Sequence, residues 1–114
     1  MKTYSAEETA NLTGISKATL RYYEEEKIIG PIRRNTNHYR RYTEADLEWI
    51  NVIKRIREIG VPVRELRGVT ETEMNERLEG LLIYQQKVRK QIQQLRLVDE
   101  FLKNKIDYMK NITK

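Results

Sequence analysis

Residues 5–27 read "SAEETANLTGISKATLRYYEEEK", and their spacing decides the fold. Ser5-Ala6-Glu7-Glu8 has the form of a capping box, with the Ser5 hydroxyl set to accept from the Glu8 amide and the Glu8 carboxylate to reach back. The pattern predicts a short helix with Ala6 and Ala10 on one face, ending near Thr13-Gly14. Ser16 then caps a second helix that runs through Lys27. Gly14 falls in the turn between the two, Ala10 is small where they approach, and Leu20 lies on the inner face of the second. That is the layout of a helix-turn-helix, whose second helix can enter the major groove of DNA.

Leu20 and Tyr23 would face the core of the second helix, which leaves Lys17, Thr19, Arg21 and Tyr22 pointing outward. Taken alone, Tyr22 also reads as a surface aromatic packed on a neighbouring loop. Arg21 likewise reads as a solvated charge paired with Glu24 or Glu25 at helical spacing. Beside the helix-turn-helix spacing, a contact role is the better reading of both.

Gly30-Pro31 breaks the helix, and two short strands are expected at Ile32–Arg34 and Tyr39–Tyr42, around Asn35–His38. Such a hairpin, about residues 32–42, is a wing. Its stretch "RRNTNHYRRY", residues 33–42, holds four arginines and no acid. From Lys27 to Arg41 there are five cations and no anion, a local patch suited to a polyanionic partner. Arginine bonds phosphate oxygens through a planar fork, and tyrosine adds a hydroxyl on a rigid ring. Tyr42 should pack inward at the strand end, and His38 reads as a turn residue.

Thr43-Glu44-Ala45-Asp46 opens a third helix with another cap. Its expected apolar stripe is Trp49, Val52, Ile53 and Ile56, ended by Gly60 and Pro62. "VPVRELRGV", residues 61–69, follows as a brief helical turn. Thr70 or Thr72 can then cap one long helix reaching to about Lys110. In that helix Met74, Leu81, Val88, Leu95, Leu102 and Met109 recur every seven positions, while Leu78, Ile92 and Ile106 alternate with Gln85 and Asp99 on the companion row. This is a coiled-coil seam. At 1.5 Å per residue the helix would be roughly 57 Å long, so a partner chain is expected. Packing on the N-terminal domain could hide only its first turns. The expected dimerisation residues are Leu78, Leu81, Val88, Ile92, Leu95, Leu102, Ile106 and Met109.

The fold class expected is therefore mainly α: a winged helix-turn-helix domain over residues 1–70, then a coiled-coil helix over 71–114. Composition fits this reading. The chain has 114 residues and a formal net charge of +5, enough for one ordinary domain. It has no cysteine, which excludes disulfides, thiolate metal sites and cysteine nucleophiles. With one histidine and no Gly-rich phosphate loop, no enzyme, metal site or cofactor is expected. No signal peptide is visible, and no apolar run approaches the ~20 residues that cross a bilayer. A soluble, intracellular protein without a membrane partner is expected.

"TGISKATLRYYEEEKII" and "NHYRRYTEADLEWINVIKRIREIGV" closely resemble the recognition helix, wing and third helix of the MerR family of bacterial transcription regulators. The resemblance covers residues 3 to about 68 with specific motifs and the remainder by architecture. It implies a winged helix-turn-helix with a second helix pair near 43–68. It also implies a homodimer through antiparallel pairing of the long helix, and a bacterial cytoplasmic protein at the nucleoid. The partner implied is double-stranded, pseudo-palindromic promoter DNA, distorted so that RNA polymerase can read both promoter elements. Carried over by position, Arg21 and Tyr22 match recognition-helix contacts, and Arg34, Tyr39 and Arg40 match wing contacts to the backbone. Lys17 and Thr19 occupy the variable positions that favour particular bases. Arg41 is a further candidate that the family pattern does not require, and Ser16 completes the set.

Two departures stand out. The family usually has Gly between the wing Asn and Tyr, where this chain has His38. If φ is positive there, His is tolerated less comfortably than Gly, and the wing would be shaped slightly differently. Almost nothing follows the coiled coil, so a short member without an effector domain is expected, with no effector named. A second reading keeps the same head but makes the protein architectural, or a chromosome anchor, docking a partner through its coiled coil. Exposed apolar residues off the seam, such as Ile83, Leu97, Phe101 and Tyr108, would serve it, although packing on the DNA-binding head of the other chain is the better reading of them.

Overall fold

Ser5 and Glu8 close the expected capping box. Ser5 Oγ accepts from the Glu8 amide at 3.0 Å and a Glu8 carboxylate oxygen accepts from the Ser5 amide at 2.9 Å. In this computed structural model, which describes residues 2–113, the box starts helix α1, Ala6–Thr13. Gly14 ends α1 in the left-handed region at φ 74°, and its N–H donates to the Ala10 carbonyl. Ser16 caps α2, Lys17–Glu25, by accepting from the Thr19 amide. The chain divides into two compact units, Met1–Glu73 and Met74–Lys114.

Helix α1 turns inward the face that carries Ala6 and Ala10. Its fully buried residues are Thr9 and Thr13, and Ala6 and Ala10 on the same face are half-buried. Threonine serves there because the Thr13 hydroxyl returns its proton to the Thr9 carbonyl at 2.8 Å, so that polar group is buried at little cost. The Thr9 hydroxyl, by contrast, is buried without a hydrogen-bond partner.

Helix α2 stops two residues before Lys27. Lys27 adopts φ 58°, its N–H donates to the Glu24 carbonyl, and the Ile28 N–H donates to the Tyr23 carbonyl at 2.9 Å. This is a Schellman ending with lysine where glycine is usual, sealed by the buried pair Tyr23 and Ile28. The helix is therefore closed by its own last turn, before Gly30-Pro31 is reached.

The wing strands are β2, Arg33–Arg34, and β3, Arg40–Thr43, and a further strand, β1, Thr3–Tyr4, lies on the other side of β3. The order is β1-β3-β2, antiparallel throughout, with Tyr4 opposite Tyr42 and Arg34 opposite Arg40. Two residues carry too little alternation to announce a strand, which is why β1 escaped the sequence reading. Tyr42, expected to point inward, is buried.

Thr43 and Asp46 form a second capping box and open α3, Glu44–Glu58. The buried stripe of α3 is Leu47, Ile50, Ile53 and Ile56. Trp49 and Val52, expected on it, are only half-buried. The stripe is rotated because the indole is amphipathic and sits at the margin, where its N–H donates to the Ile28 carbonyl at 2.8 Å. These side chains meet Leu20, Tyr23, Ile28, Ile29, Ile32 and Tyr42 in one core. Gly60 and Pro62 follow α3, then α4, Val63–Leu66, and a 3-10 turn, Val69–Glu71. The Thr70 and Thr72 hydroxyls donate to the Lys27 and Val69 carbonyls.

The second unit is α5, Met74–Ile112, 39 residues long, or about 58 Å at 1.5 Å per residue. It buries none of its residues. Leu78, Ile92, Leu95, Leu102, Ile106 and Met109 stand exposed in this single chain, and Leu81 and Val88 are half-buried. An apolar seam left open to water along such a helix is the kind of stripe that packs against another element.

Candidate nucleic-acid interface

The site is built from the N-terminal ends of α1 and α2 and from the wing. Leu20 and Tyr23 anchor α2 in the core, which turns Lys17 and Arg21 outward, leaves Thr19 half-buried and leaves Tyr22 38% exposed. The Ser16 hydroxyl both accepts from the Thr19 amide and donates to the Thr19 hydroxyl at 3.0 Å. Ser16 and Thr19 thus begin as a capping pair. Arg21 lies 3.5 Å from Glu25, an exposed pair one helical turn apart, easily exchanged for another anion. The Tyr22 hydroxyl accepts from Arg67 at 3.5 Å, and Arg67 is paired with Glu26 at 2.9 Å.

The wing turn is organised by Asn35. Its amide donates to the Tyr39 carbonyl, its carbonyl accepts from His38, and its side-chain oxygen accepts from the amides of Asn37 and Tyr39 at 3.0 Å each. Such self-bonding is what asparagine supplies in turns. His38 closes the turn at φ 66°, the positive angle considered from the sequence. The hairpin projects Tyr39, 70% exposed.

The arginines of the wing are not equivalent. Arg34 is exposed and donates to the His38 carbonyl at 3.1 Å. Arg40 is tied through Nε to Glu24 at 2.6 Å, a bond that raises its pKa further. Arg41 donates to the hydroxyl and the carbonyl of Thr3, both at 3.1 Å. Arg33, absent from the expected set, is exposed and, among the described residues, takes part in no ion pair.

A cleft of about 450 Å³ gathers Lys17, Arg34, Tyr39, Arg40 and Arg41 with Ser5, Glu7, Asn35 and His38. It joins the start of the second helix to the wing across the start of α1. Ser16 and Thr19 line a separate cleft of about 380 Å³ with Lys54 and Arg57, while Arg21 and Tyr22 line neither. The sequence reading missed the residues that hold the site: Glu24, Asn35, Lys54 and Thr3. Only Asn35 carried a visible signal, as an Asx residue at a hairpin turn. Among the described residues, no group of three or more His, Cys, Asp or Glu side chains is placed to hold a metal ion. No helix in the described residues is long and apolar enough to cross a membrane.

Comparison with known proteins places this arrangement. Residues 4–73 match the family described as "MerR HTH family regulatory protein". The HTH-type transcriptional regulator AdhR of Bacillus subtilis (strain 168) is 39% identical over 59 residues, which are 52% of this chain and 42% of that protein. The multidrug-efflux transporter 1 regulator of the same strain is 26% identical over 113 residues, 92% of this chain and 41% of that protein. The chain thus spans about half the length, or less, of the curated relatives it matches. Among solved structures, HiNmlR, a MerR family regulator lacking the sensor domain and bound to promoter DNA, superposes with a TM-score of 0.77 at 25% identity over 96% of this chain and 92% of its own. A MerR family regulator from Listeria monocytogenes gives 0.74 at 28% identity, over 91% and 83%. With the helix-turn-helix, the wing and the third helix all inside the matched residues, the chain belongs to the MerR HTH family of regulatory proteins.

Proposed function

We infer that the chain is a sequence-specific, DNA-binding transcription regulator that works as a homodimer on pseudo-palindromic promoter DNA. The observation that carries this reading is the shared cleft, in which Lys17 at the start of α2 and the wing residues Arg34, Tyr39, Arg40 and Arg41 meet. A helix aimed at base edges and a cationic hairpin aimed at phosphates are the two parts a winged reader needs. The family membership and the likeness to a regulator bound to promoter DNA support it.

In this reading α2 enters the major groove, with Lys17 and Thr19 set towards base edges and Arg21 and Tyr22 at the groove wall. The wing grips the neighbouring backbone. Helix α5 pairs two chains, which sets the separation of two half-sites and matches the two-fold symmetry of the DNA. Holding both half-sites at that separation deforms the duplex and makes the spacing of promoter elements legible to RNA polymerase.

Mapping of the DNA sites occupied in cells tests the reading. Palindromes lying between promoter elements are the expected result. Broad, promoter-independent occupancy would replace it with the architectural reading, and absence of DNA binding would remove both.

A further inference from the structure

Across the wing hairpin Arg33 faces Arg41 and Arg34 faces Arg40. Like charges directly opposite one another oppose strand pairing, and a ladder of two residues per strand has little of its own to set against them. An isolated hairpin with these pairs would open. Each pair is met by a different device. Arg41 is tied to the hydroxyl and carbonyl of Thr3 on β1, which are dipoles and carry no charge. Among the described residues, Arg40 is the one of the four with a carboxylate at ion-pair distance, Glu24.

Both carboxylate oxygens of Glu24 are engaged. One accepts from Arg40 Nε at 2.6 Å, and the other accepts from the Ile32 amide at 3.3 Å, at the entry to β2. The bond is sheltered, with the Arg40 and Glu24 side chains 21% and 17% exposed. The backbone at Gly30 closes over the same side chain, since a Cβ built at Gly30 would lie 3.5 Å from Glu24 Cγ. Helix α2, the entry to β2 and strand β3 therefore converge on one carboxylate. A sheltered, charge-assisted bond is worth more than an exposed pair, and removing one partner leaves the other charge desolvated and unmatched.

We propose that Glu24 is the positioning residue that keeps the wing formed against its own charge, fixing it to the recognition helix while leaving Arg33 and Arg34 for a polyanion. The carboxylate does from inside what phosphates do from outside. The wing is then ready before DNA arrives, and binding spends no free energy on folding it. The link to DNA rests on the function proposed above, whereas the order of the wing in the free protein does not.

Amide hydrogen exchange on the full chain without DNA tests the first half. Glu24→Gln keeps the shape and removes the charge. Exchange over residues 33–41 should rise by about tenfold, while α1 and α3 change far less. Arg34→Gln in the same background removes the repulsion and should restore most of the protection. Unchanged hairpin exchange in Glu24→Gln overturns the proposal. So does an equal acceleration throughout the domain, or a loss of structure that Arg34→Gln fails to reverse. With DNA, Glu24→Gln should lower affinity for specific and random duplexes by similar factors. A loosened hairpin with undiminished affinity overturns the DNA-binding role of the pre-formed wing. A wild-type protein that binds no duplex refutes the function proposed above and leaves the exchange result standing.

Discussion

Lys54 Nζ lies 2.6 Å from the carbonyl oxygen of Thr13 and donates to it, so a lysine from α3 supplies the positive charge at the end of α1. Helix α1 has no basic residue in its own last turn. The Lys54 ammonium answers its dipole and fixes the helix-turn-helix turn to α3. Gly14 is confined by the same contact, because an added Cβ would lie 3.0 Å from Lys54 Nζ at a backbone φ of 74°. Lys54→Met should therefore lower stability by about 1–2 kcal/mol and reduce DNA affinity through the misplaced α2. Urea denaturation with an unchanged slope would register it. A shift of the midpoint too small to measure would make Lys54 a surface charge only.

That contact also marks where the sequence stopped being informative. Capping boxes at Ser5 and Thr43, the Gly14 turn and the inward pair Leu20 and Tyr23 are local, and each was readable within a few residues. The lysine at Thr13 joins positions 41 apart, Glu24 and Arg40 are 16 apart, and Arg41 reaches back 38 to Thr3. Nothing local distinguishes Glu24 from Glu25 and Glu26 beside it. One holds the wing, the next pairs with Arg21, and the third with Arg67. The rotated stripe of α3 has the same origin. Trp49 fits an apolar period, but its N–H needs a partner that only the fold supplies, the Ile28 carbonyl.

Acid should weaken the first capping box. The Ser5 backbone N–H, then its side chain, stabilises the ionised Glu8 carboxylate and lowers its pKa. A carboxylate whose folded pKa lies below its unfolded one contributes stability that is fully present above the unfolded value. That contribution is lost as pH falls through the folded value. Glu8→Gln keeps an acceptor and cannot titrate. The stability difference between wild type and Glu8→Gln should therefore be constant near neutrality and shrink below the ordinary glutamate range. Urea midpoints taken from pH 7 downward measure it, and a difference that stays constant into acid would show that the box works without the charge.

Helix α5 should be paired in solution. Leu95 is 67% exposed in the single chain and lies mid-seam, between Val88 and Leu102. A dimer that buries it leaves no water for a carboxylate, so Leu95→Asp should cost on the order of several kcal/mol of association free energy. Sedimentation should show dimers for the wild type at micromolar concentration and monomers for Leu95→Asp, with DNA binding sharply reduced. A monomeric wild type would rule out the coiled coil. Changing Gln85 and Asp99 together to Leu should keep or raise stability while admitting other oligomers, because polar seam residues set pairing at a cost in stability.

The wing arginines and the start of α2 should separate by salt and by sequence. Arg34 is exposed and, among the described residues, steadied by the His38 carbonyl without an ion pair, so it can meet a phosphate at little cost. Arg34→Ala should weaken specific and random duplexes by similar factors, and flatten the log–log salt dependence by about 0.9 for each phosphate left unneutralised, one in each half-site. Arg40 is bound to Glu24, so Arg40→Ala should lower affinity mainly by releasing the wing, with a smaller change in salt slope. Lys17 faces outward without an ion pair among the described residues. Its replacement by alanine, like that of Thr19, should change which base is preferred at one symmetric pair of positions, by about 1–3 kcal/mol for a well-made bond to a base edge. Arg21 and Tyr22 should fall between these classes, since each already holds a weak partner, Glu25 and Arg67. Binding measured over all single-base variants of a selected site, at several salt concentrations, resolves the four behaviours. If Arg34→Ala shifts base preference while Lys17→Ala only lowers affinity, the helix and the wing have exchanged roles, with the hairpin reading bases and α2 holding the backbone.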